Sequence, residues 1–351
     1  MSSAETQPPP DAARSRRKSP SSPATIYDVA KLAGVNPSTV SRALSTPGRV
    51  SAKTEAIIRA AAAELHFRIN PMARALPTGR TRMLSLVVAD ITNPMIFGLV
   101  RGAETAATTA GYALVIAESQ ESGDAEAEVI EQIMPSVDGI VLATTRLGVD
   151  RITDIASRKP VVLINRMVEG VPGVLPDVET GVRSLVTHLF DLGHTSIAYV
   201  SGPESSWISQ RRWDVLLGIA EELRIAVVEI GPAQPTIDGG HSVFRRVQAS
   251  RATAVIAFND LIAIGMMQAA AAAGVSVPDQ LSVAGFDDIF GSNLISPGLT
   301  TVRAPLVEAG ERAVRDLIAR LATDPVPDAT DEEPLQTELI VRGSTGAPHE
   351  H

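Results

Sequence analysis

The sequence predicts two architectures in one α/β chain: an all-α helix-turn-helix module at the N-terminus, then a body of two doubly wound α/β halves. Three observations carry the prediction. Residues 25–67 place apolar residues at helical spacing around a break at Gly34. From residue 83, short β-rich apolar runs alternate with helical segments, the pattern of parallel sheets covered on both faces. Charge is split between the two parts. The whole chain of 351 residues carries −9, yet residues 1–80 hold twelve Lys/Arg against five Asp/Glu, a balance of +7 that leaves −16 on the remainder. A basic end on an acidic body points to a nucleic-acid module fused to something else.

The elements follow in order. Residues 1–24 are Pro- and Ser-rich with four basic residues and lack the apolar centre of a signal peptide, so a disordered basic arm is expected. In "TIYDVAKLAGVNPSTVSRAL" (25–44), Ile26, Val29, Ala30 and Ala33 make one apolar face, and Gly34 stops the first helix. Asn36 is a good N-cap, and Pro37 suits the first helical position. Val40, Ala43 and Leu44 then point inward and leave Ser38, Thr39, Ser41 and Arg42 outward. Short hydroxyls beside one guanidinium suit phosphate contacts and a single guanine-type contact in a major groove. A third helix runs roughly from Ser51, its cap, to Phe67, packed through Ile57, Ile58, Ala61 and Leu65.

In the body the expected strands are "LSLVVADI", "YALVIAES", "DGIVLATT", "PVVLIN", "SIAYVSG", "ATAVIAFND" and "LSVAGFDD". So many elements need two sheets. Open α/β sheets bind ligands beyond the carboxyl ends of their strands, so polar residues just after each strand are the candidates. These are Asp90 and Asn93, Asn165 and Arg166, Asn259 and Asp260, and Asp287 and Asp288, with Trp207 and Arg212 at the start of the helix after "SIAYVSG". Acids, amides, an Arg and one stacking face suit a small polyhydroxylated or heterocyclic ligand. Asp287 and Asp288 are neighbours on a strand-like segment, so they are not expected to face one substrate together.

The stretch at 25–44, with "VSAKT" and "NPMARALPTGRT" (70–81), resembles the LacI/GalR family of bacterial transcription regulators, and the likeness continues through the body. The resemblance implies that 37–44 is a recognition helix, with Pro37 and Ser38 choosing bases and Arg42 on a further operator-contacting position. Thr25, Tyr27, Thr39, Ser41 and Asn70 match positions that touch the DNA backbone or brace the unit. Leu76 falls where a hinge helix wedges a Leu into the minor groove, although Pro77 disfavours helix at the residue before it. The body resembles the family's periplasmic-binding-protein-like domain, whose halves are joined by three crossovers with the effector between them. Arg212, Asn259 and Asp287 match effector-holding positions, and Asp90, Asn165 and Trp207 lie near the same cleft. Ala304 stands where many members carry a Gln, which removes one ligand contact.

The expected domains are therefore a disordered arm (1–24), the DNA-binding module (25–69), a hinge (70–81), an effector-binding and dimerisation body (82–343) and a disordered tail (344–351). The expected function is a homodimeric, sequence-specific, effector-controlled regulator, a repressor by default. Its expected partners are near-palindromic double-stranded operator DNA and a small-molecule effector, with sugars first and nucleosides next. A cytoplasmic, nucleoid-associated protein with no membrane partner is expected, since no apolar run reaches about 18 residues. No cofactor or metal is expected. The chain has no Cys, its six His lack metal spacing, and no Walker or dinucleotide Gly pattern appears, so an enzyme is not expected. The rival reading is a solute-binding protein for transport of a sugar-like ligand. It leaves the basic helical module unexplained and needs an export signal.

Overall fold

The computed structural model describes residues 24–45, 48–67, 80–322 and 333–348. The chain divides into two compact units, 1–79 and 80–351. Asn70, Leu76, Pro77 and the arm before residue 24 lie outside the described residues.

In the first unit α1 (Ile26–Ala33), α2 (Pro37–Ser45) and α3 (Ala52–Glu64) close on Val29, Ala30, Val40, Ala43, Ile58, Ala61 and Ala62. Asp28 fixes the start of α1, its carboxylate accepting from the Thr25 backbone N–H and hydroxyl, each at 2.7 Å. Gly34 ends α1 in the left-handed region, at φ 65°, where a side chain would be strained. Ser51 caps α3 by accepting from the Thr54 N–H. One expected packing residue is corrected. Ile57 is 46% exposed, because the adjacent Ile58 takes the inward position and successive helical residues point about 100° apart.

The second unit holds two sheets. In the first, β1 (Met83–Val88), β2 (Ala113–Glu118), β3 (Gly139–Ala143), β4 (Val161–Ile164) and β5 (Gly173–Val174) run parallel in the order β2-β1-β3-β4-β5. In the second, β6 (Ser196–Val200), β7 (Ala226–Ile230), β8 (Ala254–Ala257), β9 (Ser282–Phe286), β10 (Thr300–Arg303) and β11 (Glu338–Ile340) lie in the order β11-β10-β9-β8-β6-β7, antiparallel only at β11. The intervening helices are α4 (Ile96–Thr109), α5 (Gly123–Ile133), α6 (Val149–Arg158), α7 (Val178–Asp191), α8 (Trp207–Leu223), α9 (Ile237–Ser250), α10 (Asp260–Ala272) and α11 (Leu306–Leu321). The doubly wound halves are as expected, and the central strands are buried end to end.

The described chain passes between the halves three times. It leaves after β5 for α7 and returns after β10 to lay α11 on α4, β3 and β4. It then ends in β11 beside β10. Four strands were not foreseen. The edge strand β7 is exposed at three of five positions, β5 spans only two residues, and β10 and β11 depend on pairing to be strands at all.

Both expected limits of the body shift. Thr81, assigned to the hinge, is held by Asp138, which accepts from the Thr81 N–H and hydroxyl and the Arg82 N–H. Residues 344–346, assigned to a disordered tail, are bound. Ser344 is fully buried, its carbonyl accepts from the Val283 N–H, and the Gly346 N–H donates to the Ser282 hydroxyl. His194, buried beneath, bonds Thr253 through Nδ1 and the Gly346 carbonyl through Nε2. Burial holds its pKa below the ordinary histidine value.

Candidate DNA interface and effector cleft

On the first unit, Ser38, Ser41 and Arg42 are exposed along one side of α2, whereas Pro37 and Thr39 are half-buried. The Arg42 Nε donates to the Ser38 carbonyl at 3.3 Å, which steers the guanidinium back along the helix toward its start. Tyr27, on α1, is 70% exposed although it is a large aromatic. Thr25 spends its hydroxyl on Asp28, so its structural role is as a brace.

In the second unit a cavity lies between the two halves, where the carboxyl ends of both sheets meet. Its lining includes Asp90, Asn93, Asn165, Arg212, Asn259 and Asp287. Five of the six expected effector residues therefore converge. Trp207 does not line it. Ile208 does, together with Arg212 one turn later on the same face of α8, and Trp207 is rotated about 100° away, packed against the core.

Arg212 is the centre of the second half's wall. Its Nη1 donates to the Phe258 carbonyl at 2.6 Å, and its guanidinium lies 4.0 Å from the Phe286 ring centre and 5.5 Å from that of Phe258. Asp287 stands 3.8 Å from it, 8% exposed, with its backbone in the left-handed region at φ 108°. Burial pushes the Asp287 carboxyl up to about 6, and Arg212 opposes that rise. Beneath it Asp260 is fully buried and accepts from the Ser292 and Thr301 hydroxyls and the Ile289 N–H. Burial first, then the charge of Asp287, raises it to about 8. Asp288 turns the other way, to Arg303 and Arg342, as the adjacency of the two acids requires.

The amides differ in what they have left to offer. Asn259 caps α10 by accepting from the Ile262 N–H and donates to the Pro235 carbonyl, so much of it is committed to the scaffold. Asn165, at φ 60°, has no side-chain hydrogen bond among the described residues, which leaves its amide for a ligand. Asp90 accepts from the Thr92 N–H and hydroxyl and retains one oxygen.

The first half supplies cleft residues that the sequence reading passed over: Glu121, Thr144 and Arg146. Arg146 is buried, its Nε 2.6 Å from Glu121 and its backbone N–H on Glu126. The signal that finds them was available. Glu121 and Arg146 follow "YALVIAES" and "DGIVLATT", Thr144 is in the end of the latter, and the strand-end rule, carried through every expected strand, selects them. Arg166, beside Asn165, has a buried Nε with no partner and is not in the lining.

The fold and site together define a ligand-binding α/β body carried behind a helix-turn-helix module. A family model described as bacterial regulatory proteins, lacI family, matches residues 25–70, and a periplasmic binding protein-like domain matches residues 186–345. The ribose operon repressor of Halalkalibacterium halodurans is 32% identical over 92% of this chain and 97% of its own length. A lac repressor dimer bound to operator superposes with a TM-score of 0.82 at 24% identity, covering 93% of this chain and all of that one. A LacI family regulator from Enterococcus faecium with bound ribose gives 0.65 at 27%, over 76% of this chain and 99% of that one. The chain belongs to the lacI family of bacterial regulatory proteins. It is a sequence-specific DNA-binding transcription regulator whose α/β body takes a small-molecule effector. Among the described residues no helix is long and apolar enough to cross a membrane.

Proposed function

We propose that the chain is a cytoplasmic homodimeric repressor without enzymatic activity, released from or recruited to a near-palindromic operator by a sugar-like effector in the interlobe cleft. The observation that carries the reading is the convergence of Asp90, Asn165, Arg212, Asn259 and Asp287 on one cavity. A ring of acids, amides and a guanidinium matches the vicinal hydroxyls of a sugar, each of which both donates and accepts. The ribose named for two of the relatives supports the same class. The cavity now offers only about 30 Å³ of free space, little more than a water, so the two halves must part to admit a sugar. An effector that binds the opened and closed states unequally shifts the balance between them, and that shift is what the DNA-binding module reads.

One α2 helix reads one half-site, so a near-palindrome needs two copies. Ser38 and Arg42 are the base-reading side chains, with Pro37 offering apolar contact only; Tyr27, Thr39, Ser41 and Asn70 touch the DNA backbone or brace the unit, and Thr25 braces it through Asp28. Leu76 is the minor-groove wedge. The test is a crossed pair of variants. Arg42→Ala is expected to weaken operator binding at fixed salt by about 1–3 kcal/mol while effector affinity, read by calorimetry, stays put. Arg212→Ala is expected to abolish effector binding and leave operator affinity without effector intact. Unchanged operator affinity in the first variant removes Arg42 from the interface, and unchanged effector affinity in the second removes Arg212 from the cleft.

A further inference from the structure

A second pocket opens on the outer side of the second half, beyond the carboxyl ends of β6 and β7. It encloses about 320 Å³, far more than the interlobe cavity, and its lining includes Ser201, Glu204, Gln210, Trp213, Glu229 and Gly231. It shares α8 with the cleft but uses another face. Ile208 and Arg212 point into the cleft, whereas Ser206, Gln210 and Trp213 line this pocket.

Four features give the pocket a chemistry. The Trp213 ring, half-buried, stacks on the buried Tyr199 with centroids 5.6 Å apart, so its orientation is fixed. Glu204 and Glu229 are exposed at the rim, and neither has an ion-pair partner among the described residues. Glu229 is in register with Tyr199 across the β6–β7 pair, which puts both on the same face of the sheet. Ser201 is only 6% exposed, yet its hydroxyl makes no hydrogen bond among the described residues. The hydroxyl points at Gly231, where any Cβ would collide with it, so the glycine keeps the space in front of it clear.

We propose that this pocket is a second ligand site, for a small organic ammonium cation. The two carboxylates supply the charge, the Ser201 oxygen accepts an ammonium hydrogen, and the Trp213 ring covers the alkyl part and favours a cation beside it. An anion is disfavoured in the same place, although Arg246 donates to the Gly231 carbonyl at its edge. The N-terminus of α8 would attract it, but that end is already capped by Ser206, and the two carboxylates repel it. The site is independent of the effector cleft and of the class of effector bound there.

Putrescine is the probe, with butanediol as its neutral counterpart, titrated calorimetrically into the full-length protein at fixed ionic strength. Saturable one-to-one binding of putrescine is expected, with butanediol at least about tenfold weaker. Glu229→Gln is expected to weaken putrescine about tenfold, and Ser201→Ala to weaken it measurably. Glu221→Gln, an exposed acid elsewhere on α8, is expected to leave it unchanged. Urea unfolding of each variant, with the midpoint preserved, confirms that the loss is local. Absence of saturable binding, equal affinity for the diol, or the same loss in Glu221→Gln as in Glu229→Gln overturns the proposal.

Discussion

Asp287 concentrates the chemistry of the cleft in one residue. Its backbone is held at φ 108°, a conformation non-glycine residues avoid, and its carboxyl is buried beside Arg212 with a pKa raised from 3.8 to about 6. Raised means that the folded protein binds the proton more readily than the unfolded chain. The carboxylate therefore costs stability above pH 6, and that cost is relieved as the pH falls from about 6 toward 4. Effector binding runs the other way, because a hydroxyl donates more strongly to the ionised carboxylate than to the neutral carboxyl, which keeps only its carbonyl oxygen as a good acceptor. Affinity is expected to fall as the pH drops through 6, by at most about tenfold per unit below it, while thermal stability is not lost from this group. Asp287→Asn is expected to flatten that profile in a calorimetric titration from pH 7.5 to about 5. A profile as steep in the variant as in the parent assigns the dependence to another group. His194 does not mimic the effect, since its ring is buried under the tail in the Thr253–Ser282–Gly346 cluster rather than in the lining of the cleft.

At the scale of elements, α4 and α11 show how sequence-distant helices are made to fit. Gly102 and Gly310 stand at their crossing, and a Cβ on Gly102 would meet the Val307 carbonyl oxygen, as one on Gly310 would meet that of Leu99. Side-chain-free positions on both helices let the backbones touch, and this contact seats α11 on the first half after the chain has built the second. Gly102→Val is expected to destabilise the body by about 1–3 kcal/mol or more in chemical denaturation, through overpacking. Gly218→Ala on α8, with nothing within 4 Å of its added methyl, is expected to stabilise by roughly 0.5–1 kcal/mol, the helical preference for Ala over Gly. If the first is as benign as the second, the close crossing is not what fixes α11.

At the scale of the molecule, the split between a +7 end and a −16 remainder predicts two different responses to salt. Operator affinity is expected to fall by about a thousandfold or more between about 50 and 200 mM salt, as counterions compete for the phosphates. Effector affinity should change far less, because most of the cleft's charges are paired at close range and largely out of solvent, Arg212 with Asp287 and Arg146 with Glu121. Parallel salt slopes for the two ligands would contradict that division.

By itself the sequence determined the three helices, seven of the strands and the strand ends that line the cleft, because helical periodicity, apolar runs and caps are local. The strand-end rule put Asp287 among the candidates, and Arg212 joined them at the start of the helix after β6. What only the tertiary structure decided depends on long-range pairing. The strands β10 and β11 exist because each has a neighbour. The tail at 344–346 is ordered because Val283 and Ser282 bond it, which polar residues near a chain end do not announce. Trp207 and Ile208 are one residue apart, and only the rotation of α8 against the sheet decided that the Ile, not the Trp, meets the cleft. A periodic pattern fixes which face of a helix is buried, and packing fixes what that face is buried against.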